Sequence, residues 1–453
     1  VAELRSFSIG LARIEVTLAT RNGAPRENLD PAPTEFRYEG FRFDQGGATS
    51  FLYNFDEVWC FGHWPGNGPP NKPGELDPLL DKVAQYPQFN PLSDAELAVL
   101  TRFMNDTQGG VFATGDHHLL GASMCWRIPR VSTMRRWLVR DGVPTLDFPT
   151  NLDTGEDEDA VPQPVDWVPE HHDSSGVFAR KMPHPIFCHP KLGPIDLFPD
   201  HIHEGYCNDP EEPGWLAGKG AAKYDFNGLR GDHYPRLGEV RPLPKVIAWG
   251  RTLGQPRRVP LVVVYDGYPV EVGRVVVDST WHHWFNMNLD GLAAAPDQVA
   301  YRKILRYFVN VAIWLAKPGW RAAMTLGDLK ATQFDYFGLQ NYSVSAEPDR
   351  LGIMAMRIPG TVVGPCWVRD LAVEVLATID RQDSRPSRPK DAEDYVLAVV
   401  IGEIVKELFA DSDVALEQLA RYNRIDPPQN LPEDLFEIAL RGAKKGLSRL
   451  ELK

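Results

Sequence analysis

The fold is indicated first by the stretch Gly109-Gly-Val-Phe-Ala-Thr-Gly-Asp116, in which a short apolar strand leads directly into the start of a helix. Upstream, residues 55–62 form an apolar run that ends in glycine, which is typical of a strand buried on both faces. Between the two, Ser93-Asp-Ala-Glu96 has the spacing of a capping box and opens a predicted helix. Strands that alternate with helices in this way predict an α/β fold with a parallel sheet.

Three further apolar runs and a helix extend this pattern. The runs cover residues 245–249, 259–265 and 273–278, and each has the length and β-branched content of a core strand. Residues 298–316 have the apolar face of a packed helix. We therefore expect an α/β domain over residues 1–317, with insertions near residues 126–180 and 205–243.

The sequence changes character beyond Pro318. Residues 319–368 mix glycine, proline and aromatic residues without a clear period, so no element is assigned to them. Successive helices are predicted at 370–380, 394–409, 414–422 and 432–452, and the second of them carries a wide apolar stripe. We expect residues 318–453 to form a mostly helical C-terminal region.

The composition restricts the partners of this chain. Its 453 residues carry a net charge of −13, and 43% of them are hydrophobic, as in an ordinary globular protein. An acidic balance disfavours nucleic acid as a partner, and no apolar run approaches the length of a membrane span. The five cysteines form no CxxC pair and the start shows no signal-peptide pattern, so we expect reduced thiols and a cytoplasmic location. Self-association into a homo-oligomer is left open.

Short motifs along residues 12–316 occur in the order found in a known family. They are Phe55-Asp-Glu-Val-Trp59, Leu92-Ser-Asp-Ala-Glu-Leu97, Gly109-Gly-Val-Phe-Ala-Thr-Gly115, His184-Pro-Ile186 with Glu204-Gly-Tyr206, the segment 273–282 and the helix 304–316. As an ordered set they resemble the trehalose-utilisation (ThuA-like) branch of the class I glutamine amidotransferase-like superfamily. The resemblance implies a flavodoxin-like, doubly wound, mostly parallel sheet with long loop insertions, and a carbohydrate or related small polar substrate.

Three positions depart from the family pattern. Aligning His118-Leu-Leu-Gly121 with the family's QLLG places Thr114 where true amidotransferases carry their nucleophilic cysteine. A threonine hydroxyl is not ionised at neutral pH, so hydrolysis of glutamine through a thioester is not expected. The family's DE pair becomes His203-Glu204, and its GH becomes Trp281-His282-His283, so the predicted site is richer in imidazole.

Four residues are candidates for acid/base catalysis, namely Asp116, His117, Glu204 and His282. In open parallel sheets ligands bind beyond the carboxyl ends of the strands, and Asp116 and His282 each follow a predicted strand closely. A carboxylate beside imidazoles suits proton transfer near neutral pH. The alternative is structural, with Asp116 capping a helix and His118 lining its packed face.

Other residues are candidates for binding the substrate or a metal. Those assigned to the substrate combine aromatic rings with polar groups and are His63, Trp64, His118, Tyr206, Trp281 and His283. His201 and His203 place two imidazoles on one side of an extended segment, which suits a divalent metal such as zinc. Their spacing matches no familiar zinc motif, and a loop of hydrogen-bonded polar side chains is the alternative.

Two functions are compatible with these features. The first is a ThuA-like enzyme, a hydrolase or sugar-modifying enzyme that uses acid/base or metal-assisted chemistry. The second is a non-catalytic protein that binds a ligand or docks a partner on a degenerate amidotransferase-like fold. Convergence of the four catalytic candidates in one pocket would favour the enzyme. The sequence has no phosphate-binding glycine motif and no GxSxG elbow, which disfavours a nucleotide site and a serine hydrolase.

Overall fold

The computed structural model describes residues 8–9, 12–20, 36–46, 50–61, 92–114, 124–137, 139–140, 143–144, 151–152, 162–171, 182–199, 202–203, 207–251, 258–279, 286–335, 346–357, 365–383, 393–410 and 431–451. The chain divides into two compact units. The sheet unit comprises Val16–Val168 and Asp196–Ile304, and the helical unit comprises Val1–Glu15, Pro169–Ile195 and Leu305–Lys453. Each unit is therefore assembled from segments that are separated in the sequence.

The sheet unit is built on six described strands, which are β1 (Glu57–Cys60), β2 (Gly110–Ala113), β3 (Asp166–Trp167), β4 (Lys245–Arg251), β5 (Arg258–Tyr265) and β6 (Val275–Asp278). They pair in the order β3-β4-β5-β6-β2-β1. The pairs β1–β2 and β2–β6 are parallel, whereas β5–β6, β4–β5 and β3–β4 are antiparallel. The predicted α/β class is confirmed. The sheet, however, is mixed, and the flavodoxin-like arrangement is not confirmed.

The central strands match the expectation of strands covered on both faces. Every residue of β6 is buried, and so is every residue of β5 after Arg258. Runs of valine suit this position because a β-branched side chain packs well on a pleated surface with neighbours on either side. The predicted strands over residues 245–249, 259–265 and 273–278 are thus present as β4, β5 and β6.

Three of the described helices belong to the sheet unit, α1 (Asp94–Asp106), α2 (Val131–Met134) and α3 (Asn286–Ala294). The predicted capping box is confirmed, since the Ser93 hydroxyl accepts the Glu96 backbone N–H while the Glu96 carboxylate accepts the Ser93 N–H. Helix α1 packs its apolar face on the sheet; the buried residues it contributes include Leu97, Leu100, Phe103 and Met104. A capped helix with one apolar stripe is what the sequence predicts here.

Short two-stranded ladders supplement the main sheet. Seven are antiparallel: Ser8–Ile9 with Ala12–Arg13, Val139–Arg140 with Val143–Pro144, Asn151–Leu152 with Ile202–His203, Pro162–Pro164 with Leu197–Pro199, Pro169–His171 with Met182–Pro183, Cys188–His189 with Gly193–Pro194, and Lys223–Phe226 with Leu229–Asp232. Leu18–Thr20 and Phe36–Glu39 pair in parallel.

The C-terminal part of the chain has six helices among its described residues, α4 (Val299–Leu315), α5 (Pro318–Asp335), α6 (Pro348–Arg357), α7 (Pro365–Asp383), α8 (Glu393–Ala410) and α9 (Leu431–Glu451). The predicted helices over 370–380, 394–409 and 432–452 are confirmed as α7, α8 and α9, and the one over 414–422 lies outside the described residues. The sequence assigned no element to residues 319–368, and helices α5 and α6 occupy much of that range. A mostly helical C-terminal region is confirmed.

Helix α8 lies at the centre of the helical unit. The stripe predicted from its sequence is buried, and it includes Leu397, Val400, Ile401 and Leu408. Its neighbours approach very closely, because a side chain on Gly402 would lie 1.7 Å from the Pro348 carbonyl oxygen of α6. A helix with a wide apolar stripe is expected to bury that stripe against neighbouring helices in this way.

The helical unit contains a disulfide that the sequence did not predict. Cys188 and Cys366 are joined by it, although 178 residues separate them in the chain. The expectation of reduced thiols is therefore wrong for this pair, whereas Cys60, Cys125 and Cys207 are buried and form no disulfide. Disulfides are typical of oxidising compartments. The cytoplasmic location, which depended on reduced cysteines, is not confirmed. None of the helices in the described ranges combines the length and the apolar character needed to cross a membrane.

Candidate functional site

The carboxyl ends of three parallel strands lie side by side in the sheet unit. Cys60 at the end of β1 is in register with Ala113 at the end of β2, and Ala113 is in register with Val277 of β6. Polar residues begin at this edge, with Thr114 directly after β2 and Asp278 as the last residue of β6. Because ligands of open α/β sheets bind beyond such strand ends, this edge is the first place to look for a site.

A hydrogen bond joins the ends of β2 and β6. The Thr114 hydroxyl donates to Oδ1 of Asp278 at 2.6 Å, and both residues are fully buried. Side chains alternate along a strand, so Thr114 lies on the same face of the sheet as Phe112, and Asp278 lies on the same face as Val276. The carboxylate thus accepts a hydrogen bond from the residue that ends the neighbouring strand.

Aromatic side chains adjoin this pair on the same face of the sheet. The ring of Phe112 lies 5.0 Å from that of Trp59 and 5.9 Å from that of Phe61, measured between centroids. Phe61 directly follows β1 and is 42% exposed, although large apolar side chains are mostly buried in this unit. An exposed ring beside a fixed carboxylate and hydroxyl provides both the stacking surface and the polar contacts typical of sites for small polar ligands.

A second network fixes the opposite face of the same strand ends. The Ser279 hydroxyl accepts the Cys207 backbone N–H at 2.7 Å and donates to the Pro260 carbonyl at 2.8 Å. The Cys207 thiol contacts the carbonyl oxygens of Val277 and Leu261. The Ser279 hydroxyl therefore both accepts and donates a hydrogen bond within the protein, and we assign this face of the sheet a structural role.

The electrostatics of the edge disfavour a thiol nucleophile. Burial raises the pKa of the Cys207 thiol to about 12, and the hydrogen bond with Ser279 and the Arg135 cation oppose this only in part. The thiol stays protonated at neutral pH, whereas thiolate is the nucleophilic form. Arg135 is itself buried, and its backbone pairs with that of Cys207 in an isolated antiparallel β-bridge. Its guanidinium lies 4.7 Å from the centroid of the Trp137 ring. The edge thus combines a buried carboxylate with a buried guanidinium.

The residues predicted to form the site lie outside the described part of the chain, with one partial exception. Those not described are Asp116, His117, Glu204, His282, His63, Trp64, His118, Tyr206, Trp281, His283 and His201. For His203 the backbone is described, as the end of the ladder Ile202–His203. Their assignments, including the convergence of the four catalytic candidates, stay predictions. Among the described side chains no group of three or more potential metal ligands occurs, and the predicted metal pair is not tested by this.

Sequence reasoning missed two of the described residues at this edge, Asp278 and Arg135. Asp278 had a signal, because a carboxylate ends an otherwise apolar strand, Val-Val-Val-Asp278. Arg135 had none, since nothing in Arg135-Arg-Trp137 distinguishes a buried guanidinium from an exposed one. Comparisons of this chain with protein-family models, with curated proteins and with solved structures found no match.

Proposed function

We propose that this protein is an enzyme that acts on a carbohydrate or related small polar substrate at the carboxyl edge of β1, β2 and β6. The observation that carries the proposal is the 2.6 Å hydrogen bond from Thr114 to the buried Asp278 carboxylate. A carboxylate fixed in this way at the ligand-binding edge of an α/β sheet is a suitable general base or substrate anchor.

The positions of the sequence candidates along the chain support the same edge. Asp116 and His117 follow Thr114 by two and three residues, Glu204 precedes Cys207 by three, and His282 follows Ser279 by three. Three residues of extended chain span about 10 Å at most, so the chain itself tethers these groups near the described edge. Imidazoles within reach of Asp278 would supply the proton transfers, and a divalent metal on His201 and His203 is the other form of the proposal.

The same pair bears on the family relationship. In the alignment with amidotransferases, Thr114 occupies the position of the nucleophilic cysteine, and its hydroxyl proton is directed to Asp278. This supports a ThuA-like member of the superfamily that does not hydrolyse glutamine. A flavodoxin-like ancestry of the three parallel strands, with the antiparallel strands β3 to β5 as a departure, belongs to the same proposal.

The test is a turnover screen of the full chain against sugars, sugar acids and amides, followed by the variant Asp278→Asn. Asparagine keeps the shape and still accepts from Thr114, but it cannot take a proton. We expect kcat/KM to fall by about 10²–10⁴-fold with little change in Tm. The matched control is Asp225→Asn, which changes an exposed aspartate of the 223–232 ladder that pairs with Arg230 and should keep full activity.

Two outcomes would contradict the proposal, the first by removing Asp278 from the site and the second by removing catalysis. Full activity in Asp278→Asn would make the Thr114–Asp278 hydrogen bond a structural tie between strands. Saturable binding of a sugar without turnover in the unmodified chain would instead establish the binding protein, in which the same edge holds a ligand.

A further inference from the structure

Three side chains form one row across the carboxyl ends of β1, β2 and β6. The register that pairs β1 with β2 and β2 with β6 places Phe61, Thr114 and Asp278 beside one another, in that order. The Phe61 ring contacts Phe112, which precedes Thr114 by two residues, so the ring lies on the face of the sheet that carries Thr114 and Asp278. Neighbouring strands are about 4.8 Å apart, and the row therefore spans about 10 Å.

Phe61 is the member of this row that is open to solvent. It is 42% exposed, whereas Thr114 and Asp278 are fully buried. Among the exposed large apolar residues in the described ranges, Phe61 alone lies at the carboxyl end of a main-sheet strand. An exposed phenylalanine leaves apolar surface in water, and a ligand that covers the ring removes that cost. A substrate that approaches this edge therefore meets the Phe61 ring first.

Two further rings hold the Phe61 ring in place. Its centroid lies 6.3 Å from that of Trp59 and 5.9 Å from that of Phe112, and Phe112 is fully buried. The Trp59 indole N–H donates to the Glu57 carboxyl group at 2.7 Å, which fixes the orientation of the indole. A ring that is already held by its neighbours loses little conformational entropy when a ligand covers it.

The row offers a ligand a flat apolar surface beside a carboxylate. A pyranose ring with equatorial hydroxyls matches this combination, because its axial C–H bonds form a flat apolar face and its hydroxyls donate hydrogen bonds around the rim. An open-chain polyol has no such face. A sugar acid carries a negative charge, which the Asp278 carboxylate repels.

We infer that Phe61 is the specificity-determining residue of this edge and that it stacks on the C–H face of a neutral pyranose. The inference rests on the enzyme proposed above and narrows its substrate to cyclic, uncharged sugars. Phe61 contacts the apolar face of the ring and not a group whose charge changes during the reaction. It therefore stabilises the bound substrate and the transition state equally, and it sets KM without changing kcat.

The first experiment is a ligand-observed NMR titration of the full chain with three probes, methyl β-D-glucopyranoside, sorbitol and glucuronate. We expect saturable binding of the glucoside, with a Kd about 10-fold or more below that of sorbitol, which lacks the apolar face. Glucuronate has the ring but also a negative charge, so it should bind more weakly than the glucoside.

The second experiment repeats the glucoside titration with variants. Phe61→Leu keeps an apolar side chain but removes the ring, so it should raise Kd about 3–10-fold with little change in Tm. Phe61→Tyr keeps the ring and should bind like the unmodified chain. The matched control is Tyr395→Leu, which removes a ring that is 46% exposed on α8 of the helical unit and should leave Kd unchanged.

Turnover separates this inference from the enzyme on which it rests. With a substrate from the activity screen, Phe61→Leu should raise KM and keep kcat, whereas Asp278→Asn tests catalysis itself. The role of Phe61 is overturned if the glucoside shows no saturable binding, if Phe61→Leu leaves its Kd unchanged, or if sorbitol or glucuronate binds as tightly. Glucoside binding that depends on Phe61 but leads to no turnover would support the role of Phe61 and reject the enzyme.

Discussion

One buried arginine of the helical unit, Arg321, and one of the sheet unit, Arg130, are held in different ways. In the helical unit, Arg321 of α5 pairs with Asp370 at 2.8 Å and with Glu374, both on α7. In the sheet unit, Arg130 is held by a carbonyl, an amide and an aromatic ring, all of them neutral. A buried ion pair is sensitive to the loss of either partner, because the charge that remains is left buried without its counter-charge.

The largest effect that tests this comparison is expected from Arg321→Met. Removing the guanidinium leaves Asp370 and Glu374 without it inside the helical unit, which should cost about 3–5 kcal/mol in the free energy of unfolding. The measurement is urea denaturation followed by circular dichroism. Arg230→Met is the control, because Arg230 pairs with Asp225 on the surface and its loss should cost less than about 0.5 kcal/mol.

The double variant Arg321→Met with Glu374→Met sharpens this result. It removes one of the two carboxylates that paired with Arg321, so it should recover part of the loss. If Arg321→Met costs less than about 1 kcal/mol, the pairing on α5 and α7 does not distinguish the two units and the comparison fails.

Reduction of the disulfide should have the next largest effect and should be confined to the helical unit. Opening Cys188–Cys366 frees a long loop of the unfolded chain, which should lower the stability of that unit by about 2–5 kcal/mol. Hydrogen exchange with and without reductant can assign the loss, with α8 and α9 affected and β5 and β6 unchanged. The control is the double variant Cys188→Ala with Cys366→Ala, which should no longer respond to reductant. Equal loss in both units would show that they unfold together.

The smallest effect concerns a carboxyl group of the sheet unit, Glu57 at the start of β1. Burial raises the pKa of Glu57 well above its usual value, and the hydrogen bond from the Trp59 indole opposes this only in part. Because the pKa of Glu57 is higher in the folded chain than in the unfolded chain, the folded chain binds the proton more tightly. The resulting contribution to stability is present at low pH and is lost as pH rises through the pKa of the folded chain.

Glu57→Gln should therefore become more stable relative to the unmodified chain as pH rises from about 5 to 8. Glutamine retains an acceptor for the Trp59 indole, so the comparison isolates the charge. Glu239→Gln, which changes an exposed glutamate, should show no such trend. A pH-independent difference for Glu57→Gln would place the Glu57 carboxyl in water.

The sequence predicted those elements whose signals are local. The capping box at Ser93 predicts a helix start, and the valine runs of β5 and β6 predict buried strands, each from only a few residues. All three predictions are confirmed. Helices α5 and α6 were missed because Gly319, Gly327 and Gly352 lower helix propensity and interrupt the apolar pattern. Position 352 requires glycine because of tertiary packing, since the Cβ of any other residue there would lie 1.8 Å from the Ala398 carbonyl oxygen.

The site was harder to predict because its described contacts join distant parts of the chain. The hydrogen bond from Thr114 reaches Asp278, 164 residues away, and the disulfide joins positions even further apart. No periodicity in either segment specifies its partner. The resemblance to a known family directed attention to residues 114–118 and 281–283, which follow β2 and β6 in the chain, but it gave no reason to select Asp278.

The arrangement of the two units along the chain has a consequence for synthesis on the ribosome. All residues of the sheet unit have been made once Ile304 is complete, whereas the helical unit needs segments that extend to the C-terminus. The disulfide cannot close before Cys366 has been added, and the loop that it closes contains β4, β5 and β6. Domains fold as they emerge. The sheet unit can therefore fold first, before the helices that belong with residues 169–195 have been synthesised. During that interval the Cys188 thiol has no Cys366 to pair with and can form a disulfide with another cysteine.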